Sequence, residues 1–188
     1  MQKRKIIIGI SGASGTIYGV RLLEVLREYP DIETHLVISD IAKEIILHEN
    51  GIEPERVLAM ADVVHPIKNL GAAISSGSFL TEGMIVAPCS IKSLSGIANS
   101  YNDNLLVRAA DVCLKERRKL IIVLRETPLH LGHLELMTRV TRYGATLLPP
   151  MPSFYHKPQT IDDIINQTVG KVLDNFGIGH SLFNRWSG

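Results

Sequence analysis

The chain has 188 residues, and its 45% hydrophobic content is ample for the continuous core of one domain. Lys+Arg of 20 against Asp+Glu of 19 leaves a formal net charge of +1, which gives no whole-molecule pull toward nucleic acid or an anionic membrane and favours a small ligand. Cys89 and Cys113 are too few for a disulfide framework and lack metal-site spacing, which suits a reducing compartment, the cytoplasm.

The start, Met1-Gln-Lys-Arg-Lys, precedes an apolar run of only about five residues, short of a signal-peptide core. No later stretch approaches the roughly 20 apolar residues of a membrane span. Short β-branched runs then alternate with helix-period segments, the pattern of βαβ units around a mostly parallel sheet. The first half predicts a strand over Lys5–Ile10, a helix over Thr16–Glu28, a strand over Thr34–Ile38, and a helix over Asp40–His48 stopped by Asn50-Gly51. Residues 51–83 scatter Gly, Ser and Pro and predict an irregular connection, mobile or covered by a partner. Beyond it the pattern predicts a strand over Met84–Ala87 and helices over Ile91–Asn99 and Asn104–Arg117. A strand over Leu120–Leu124, a helix over Leu131–Tyr143 and a strand over Ala145–Leu148 follow. The last helix, Ile161–Phe176, has Thr160 as a cap and Asp162 and Asp163 in its first turn. Ile6-Ile-Ile, Met84-Ile-Val-Ala and Leu120-Ile-Ile-Val-Leu124 are continuously apolar, as strands buried on both faces should be. No repeat or linker divides residues 1–188, and the lone Trp186 in the tail (about 177–188) is expected to pack at a subunit interface.

Nearly every polar or glycine-rich motif follows the carboxyl end of a predicted strand, which in open α/β sheets is the ligand edge. Gly9-Ile-Ser-Gly-Ala-Ser-Gly15 leads straight into a helix, so small residues and free amides there favour an anion. Its G-x-x-G-x-x-G spacing is not the dinucleotide fingerprint, and a tight βα turn is the alternative. Ser39, ahead of Asp40, suits a phosphate or a helix cap. Pro88-Cys-Ser-Ile-Lys-Ser-Leu-Ser-Gly96 makes a second anion-ready turn through Ser90, Lys92 and Ser93. Arg125 and Glu126 leave a buried strand and must find partners: each other, a subunit neighbour or a ligand. The prolines of Leu148-Pro-Pro-Met-Pro-Ser-Phe-Tyr-His-Lys-Pro158 hold an extended loop that aims Tyr155 at the sheet edge. His130 and His133 with Glu135 lack a third strong metal ligand, and Cys89 lacks a positioned base, so it reads as a packed residue.

Taken in order, Gly9-Ile-Ser-Gly-Ala-Ser-Gly15, Ala87-Pro-Cys-Ser90, Arg108-Ala-Ala-Asp-Val112, Leu114-Lys-Glu-Arg-Arg118, Arg125-Glu-Thr-Pro128 and Pro150-Met-Pro-Ser-Phe-Tyr-His156 resemble the UbiX-type flavin prenyltransferase family, down to Arg185-Trp186. The resemblance implies a single flavoprotein domain of Rossmann-like three-layer α/β/α fold. It implies an enzyme that joins the dimethylallyl group of dimethylallyl monophosphate to N5 and C6 of reduced FMN, with no metal. The product, prenylated FMN, would serve a UbiD-type aromatic acid decarboxylase. By position, Gly12, Ala13, Ser14, Ser39, Ser90, Ile91, Lys92, Ser93 and Arg125 would hold FMN. Lys115, Glu126, Tyr155 and Lys171 would surround the dimethylallyl monophosphate, with Arg108 and Glu49 nearby. The site would be completed between subunits of a dodecamer.

Those roles suit the residues' chemistry. Lys115, Lys171, Arg125 and the Tyr155 hydroxyl can stabilise a leaving phosphate, Trp186 can stabilise an allyl cation, and Glu126 can shuttle protons. Two departures bear on the pocket: Lys171 stands where relatives commonly carry arginine, and Leu70 where they can carry an aromatic residue. Two other readings compete. A flavin-dependent decarboxylase of cysteine-derived substrates would want a Pro-Ala-Ser-Ala-Asn-Thr-like turn where Pro88-Cys-Ser-Ile-Lys-Ser stands. A non-catalytic FMN-binding protein would have no use for the Lys115, Glu126, Tyr155 and Lys171 set.

Overall fold

The computed structural model describes residues 3–187; Met1 and Gln2 of the basic start and Gly188 of the tail lie outside the described residues. Six strands form one sheet: β1 (Arg4–Ile10), β2 (Ile32–Ile38), β3 (Val63–Val64), β4 (Gly83–Cys89), β5 (Lys119–Leu124) and β6 (Thr146–Leu147). Their order is β3-β2-β1-β4-β5-β6 and every pairing is parallel, so the sheet is wholly rather than mostly parallel. The helices are α1 (Ile17–Leu26), α2 (Asp40–Asn50), α3 (Pro54–Leu58), α4 (Ile91–Ala98), α5 (Leu105–Lys115), α6 (Leu131–Arg142) and α7 (Ile161–Asn175). This is the doubly wound, Rossmann-like order, whose winding direction reverses between β1 and β4.

Alternation along the strands divides the core into two layers. Ile6, Ile8 and Ile10 of β1 pack with Leu22 and Leu23 of α1 and Val169 and Leu173 of α7. Ile7, with Met84 and Val86 of β4, packs with Leu94 of α4 and Leu106 and Ala110 of α5. Gly19 lets α1 lie directly on β4, because a Cβ there would stand 2.3 Å from the Ala87 carbonyl oxygen.

Short polar residues fix the helix starts. The side chains of Ser39, Ser90, Asn104 and Thr160 accept from backbone amides in the first turns of α2, α4, α5 and α7, and Thr160 with Asp163 completes a capping box. Gly51 closes α2 at φ 63°, the left-handed geometry glycine adopts freely.

Residues 51–83 are more ordered than their composition predicts: α3, β3 and a 3-10 turn at Ala73–Ser75 lie within them. Val57 of α3 is fully buried. Arg118 donates to the carbonyls of Gly77 and Phe79 and holds the end of this segment against the β5 start. No helix among the described residues is long and apolar enough to cross a membrane.

Candidate active site

Above the carboxyl ends of β1 and β4, where the winding reverses, lies a cavity of about 360 Å³. Four strand-end turns supply its walls: Gly12 and Ala13 after β1, Ser39 and Ile41 after β2, Ser90 to Ser93 after β4, and Arg125 and Glu126 after β5. Ile67, Asn104 and Leu106 complete it. Residues separated by more than a hundred positions thus meet at one edge because parallel strands all point there.

Each wall is suited to a polar ligand with apolar flanks. A Cβ on Gly12 would fall 2.2 Å from Ile41 Cγ2, so only glycine leaves room for the turn beside that side chain. Ser90 Oγ accepts from the Ser93 amide at 3.3 Å and donates to Ser93 Oγ at 3.2 Å. The amides of Ile91 and Lys92, in the first turn of α4, have no intrahelical partner, and both residues line the cavity. Lys92 reaches Asp103 at 3.7 Å with its side chain largely in solvent. Arg125 is exposed and forms no ion pair among the described residues, so the Arg125–Glu126 pairing that burial of the strand allowed for is not made. Glu126 Oε1 instead accepts from the Thr127 amide at 3.0 Å.

Glu49, at the end of α2, is bound to the glycine-rich turn. Its carboxylate accepts from the Gly15 amide at 2.9 Å and from Thr16 Oγ1 at 3.4 Å. Burial works to raise its pKa, but hydrogen bonds from Ser14, Gly15 and Thr16 outweigh burial and hold the carboxyl below its ordinary range. Ser14 is exposed and is not among the cavity's lining residues.

A second group of expected site residues gathers on α7. Asp174 takes a two-pronged contact from Arg185, at 3.0 and 2.6 Å, and also meets His180 at 3.2 Å and Lys171 at 3.8 Å. The Arg185 guanidinium, foremost, holds the Asp174 carboxyl below its usual range. Pinning Arg185 brings its neighbour Trp186 edge-on to Tyr155, with ring centroids 6.4 Å apart. The tail therefore packs on its own protomer's α7, while Trp186 and Phe154 remain 73% and 70% exposed.

Lys115 lies elsewhere. It ends α5 beside Glu116, with which it forms an ion pair, and near Gly77. Asn104 and Leu106 at the start of α5 line the cavity, so Lys115 stands about 15 Å down the helix axis, toward the amino edge of the sheet. Arg108 donates to the Ser75 carbonyl at 3.1 Å and to Asp111 at 3.2 Å, away from the cavity lining. Within one protomer, then, Glu126 does not meet Lys115, Tyr155 and Lys171 at a single point. Leu70, 46% exposed, also lies outside the lining.

Residue periodicity did not single out Ile41, Ile67, Asn104 or Leu106 as lining residues. Asn104, a polar residue opening a helix, carried the one signal that could have found it. Cys89 is fully buried, and burial pushes its thiol up to about 12, which removes it as a nucleophile at neutral pH. His130 Nδ1 accepts from the Gly132 amide and caps α6, with the His133 ring tilted against it at a centroid distance of 3.6 Å.

The geometry has close counterparts. A family model described as Flavoprotein matches residues 1–173. The protein named Flavin prenyltransferase UbiX from Escherichia coli (strain K12) is 58% identical, covering 98% of this chain and 99% of its own length. The crystal structure of AnUbiX (PadA1) in complex with FMN and dimethylallyl pyrophosphate is similar with a TM-score of 0.97 at 46% identity, covering 100% of this chain and 99% of that one. A structure described as a dodecameric FMN-dependent UbiX-like decarboxylase from Escherichia coli O157:H7 is similar with a TM-score of 0.96 at 51% identity, covering 98% and 100%.

Proposed function

The chain belongs to the UbiX-type flavin prenyltransferase family, and on that premise we propose that it joins the dimethylallyl group of dimethylallyl monophosphate to N5 and C6 of reduced FMN. The observation that carries the reading is the cavity over the β1/β4 reversal, where two strand-end turns, an arginine with no ion pair among the described residues and a carboxylate share one space. Its volume suits a flavin-sized ligand that is partly left open to a second substrate.

The donor set fits FMN. Gly12 and Ala13 offer backbone that a planar ring system can approach, with the turn held from behind by the Glu49 carboxylate on the Gly15 amide, and Ser14 stands beside them. Ser39 and Ser90 to Ser93 offer hydroxyls and amides for the phosphate and the polar chain. Arg125 offers a planar fork for a carbonyl-rich ring edge. When bound, reduced FMN supplies the nucleophilic nitrogen and ring carbon that take the prenyl group. Glu126, in the same cavity, is the chain's proton shuttle for ring closure.

The leaving phosphate is assigned to Tyr155, Lys171, Lys115 and Arg108, and the allyl cation to the Trp186 ring. Their dispersal within one protomer supports a site completed by neighbouring copies in a dodecamer, with the exposed Trp186 of the tail and Phe154 of the proline-rich loop at a subunit interface. The product would pass to a UbiD-type decarboxylase in the cytoplasm, where the buried free thiols Cys89 and Cys113 stay reduced.

Glu126 also argues against a passive flavin carrier, which has no proton to move. The test is anaerobic incubation of the purified chain with FMN, reductant and dimethylallyl monophosphate, with the pyrophosphate as a parallel arm. Mass spectrometry should find FMN heavier by one dimethylallyl group in the monophosphate arm. Unmodified FMN in both arms would refute the transferase reading, and product in the pyrophosphate arm alone would reassign the donor.

A further inference from the structure

The two turns that face each other across the cavity come from strands that part company below it. Register pairing of β1 with β4 ends at Gly9 and Val86, and β4 is irregular against β5 between Val86 and Cys89. Beyond that point one side chain spans the gap. Ser11, only 1% exposed, has its Oγ 2.7 Å from the Ser90 amide, which donates to it, and 3.1 Å from the Pro88 carbonyl, to which it donates. The Ser11 amide donates to the same carbonyl at 3.1 Å. Three hydrogen bonds therefore join the two strands past the end of their ladder, two of them through the Ser11 hydroxyl and one between backbones.

We infer that Ser11 is a positioning residue for flavin binding: a strut that sets the spacing between the Gly12–Gly15 turn and the Ser90–Ser93 turn. This rests on the reading of the cavity as an FMN site. The hydroxyl's one hydrogen is given to Pro88 and it accepts from Ser90, so both its bonds go to backbone, and Ser11 is not among the lining residues. It acts through its neighbours. Ser90 is the cap of α4, and its own Oγ is committed to Ser93, so the direction of the Ile91 and Lys92 amides follows from where Ser11 holds the Ser90 backbone. Alanine at this position would leave the Ser90 amide without its partner and the Pro88 carbonyl with the Ser11 amide alone, and the two turns would drift apart to find water. Threonine keeps the oxygen.

The experiment compares FMN affinity and the fine structure of the bound flavin's visible band in wild type, Ser11→Ala and Ser11→Thr. Measurements are made well below each protein's thermal transition. Ser11→Ala should weaken FMN binding roughly 10- to 100-fold and blur the band, while Ser11→Thr stays within about threefold of wild type. With FMN saturating, the KM for the dimethylallyl donor should not change. Ser11→Ala binding FMN as wild type does, or Ser11→Thr failing as badly as Ser11→Ala, overturns the inference. A wild-type chain that binds no FMN overturns the flavin reading and this inference with it. Hydrogen exchange of the Ser90 amide in the ligand-free wild type tests the strut independently of any variant's folding: slow exchange supports it, and exchange at the rate of an open loop overturns it.

Discussion

In the cavity above β1 and β4, Arg125 emerges from its strand with no ion pair among the described residues. On α7, by contrast, Lys171 and Arg185 share the Asp174 carboxylate with His180. An anion entering the first region meets a free cation and unpartnered helix-start amides. An anion arriving at the second must compete with a carboxylate already satisfied by a bidentate guanidinium. Within one protomer the first region leaves its arginine and helix-start amides open to a ligand, whereas the second is a clasp whose cations are already engaged by Asp174. Binding of the flavin and handling of the donor phosphate therefore depend on different parts of the molecule and should come apart under mutation.

The largest separation is expected at Glu126. Glu126→Gln should retain FMN yet slow product formation roughly 10²- to 10⁴-fold, read by single-turnover mass spectrometry; unchanged turnover would remove Glu126 from the chemistry. Arg125→Ala strikes the receptor itself and should raise the FMN dissociation constant about 10- to 100-fold, measured by fluorescence quenching, because a charge-assisted contact is lost. Asp174→Asn strikes only the clasp. Trypsin should then cleave after Arg185 roughly three- to tenfold faster while FMN affinity stays within about twofold; an equal loss of flavin affinity would merge the two regions.

The smallest effect is the pH response. Asp174 and Glu49 both have folded-state pKa values below their unfolded ones. Their contributions are therefore complete above an unfolded carboxylate value of about 4 and fade as pH falls through the lower folded values. NMR of the Gly15 amide, which reports on Glu49, should thus show no change between about pH 7 and 5 and move only below about pH 4.

The sheet and the receptor were legible because they rest on local signals. Apolar runs such as Ile6-Ile-Ile announce buried strands, and polar turns after them announce the ligand edge. The parts that were not legible depend on short elements or distant partners. The five residues of α3 and two of β3 fall below any periodicity window, although Pro54 at the first helical position was a usable sign. Glu49 gripping Gly15 and Ser11 gripping Ser90 join positions 34 and 79 apart, which no local pattern encodes. For Lys115, helical periodicity gives a face but not the end of the sheet to which α5 carries it. Only the topology reveals that the helix runs away from the cavity.

The division of labour between protomers is tested most directly by mixing. Lys115→Ala and Glu126→Gln chains, each assembled alone, should make little prenylated FMN. Co-assembled by joint refolding or coexpression, they should recover a measurable fraction of wild-type product, because some sites then draw an intact Lys115 from one chain and an intact Glu126 from another. Mixed assemblies that fold and bind FMN but stay as inactive as their parents would contradict a site shared between copies.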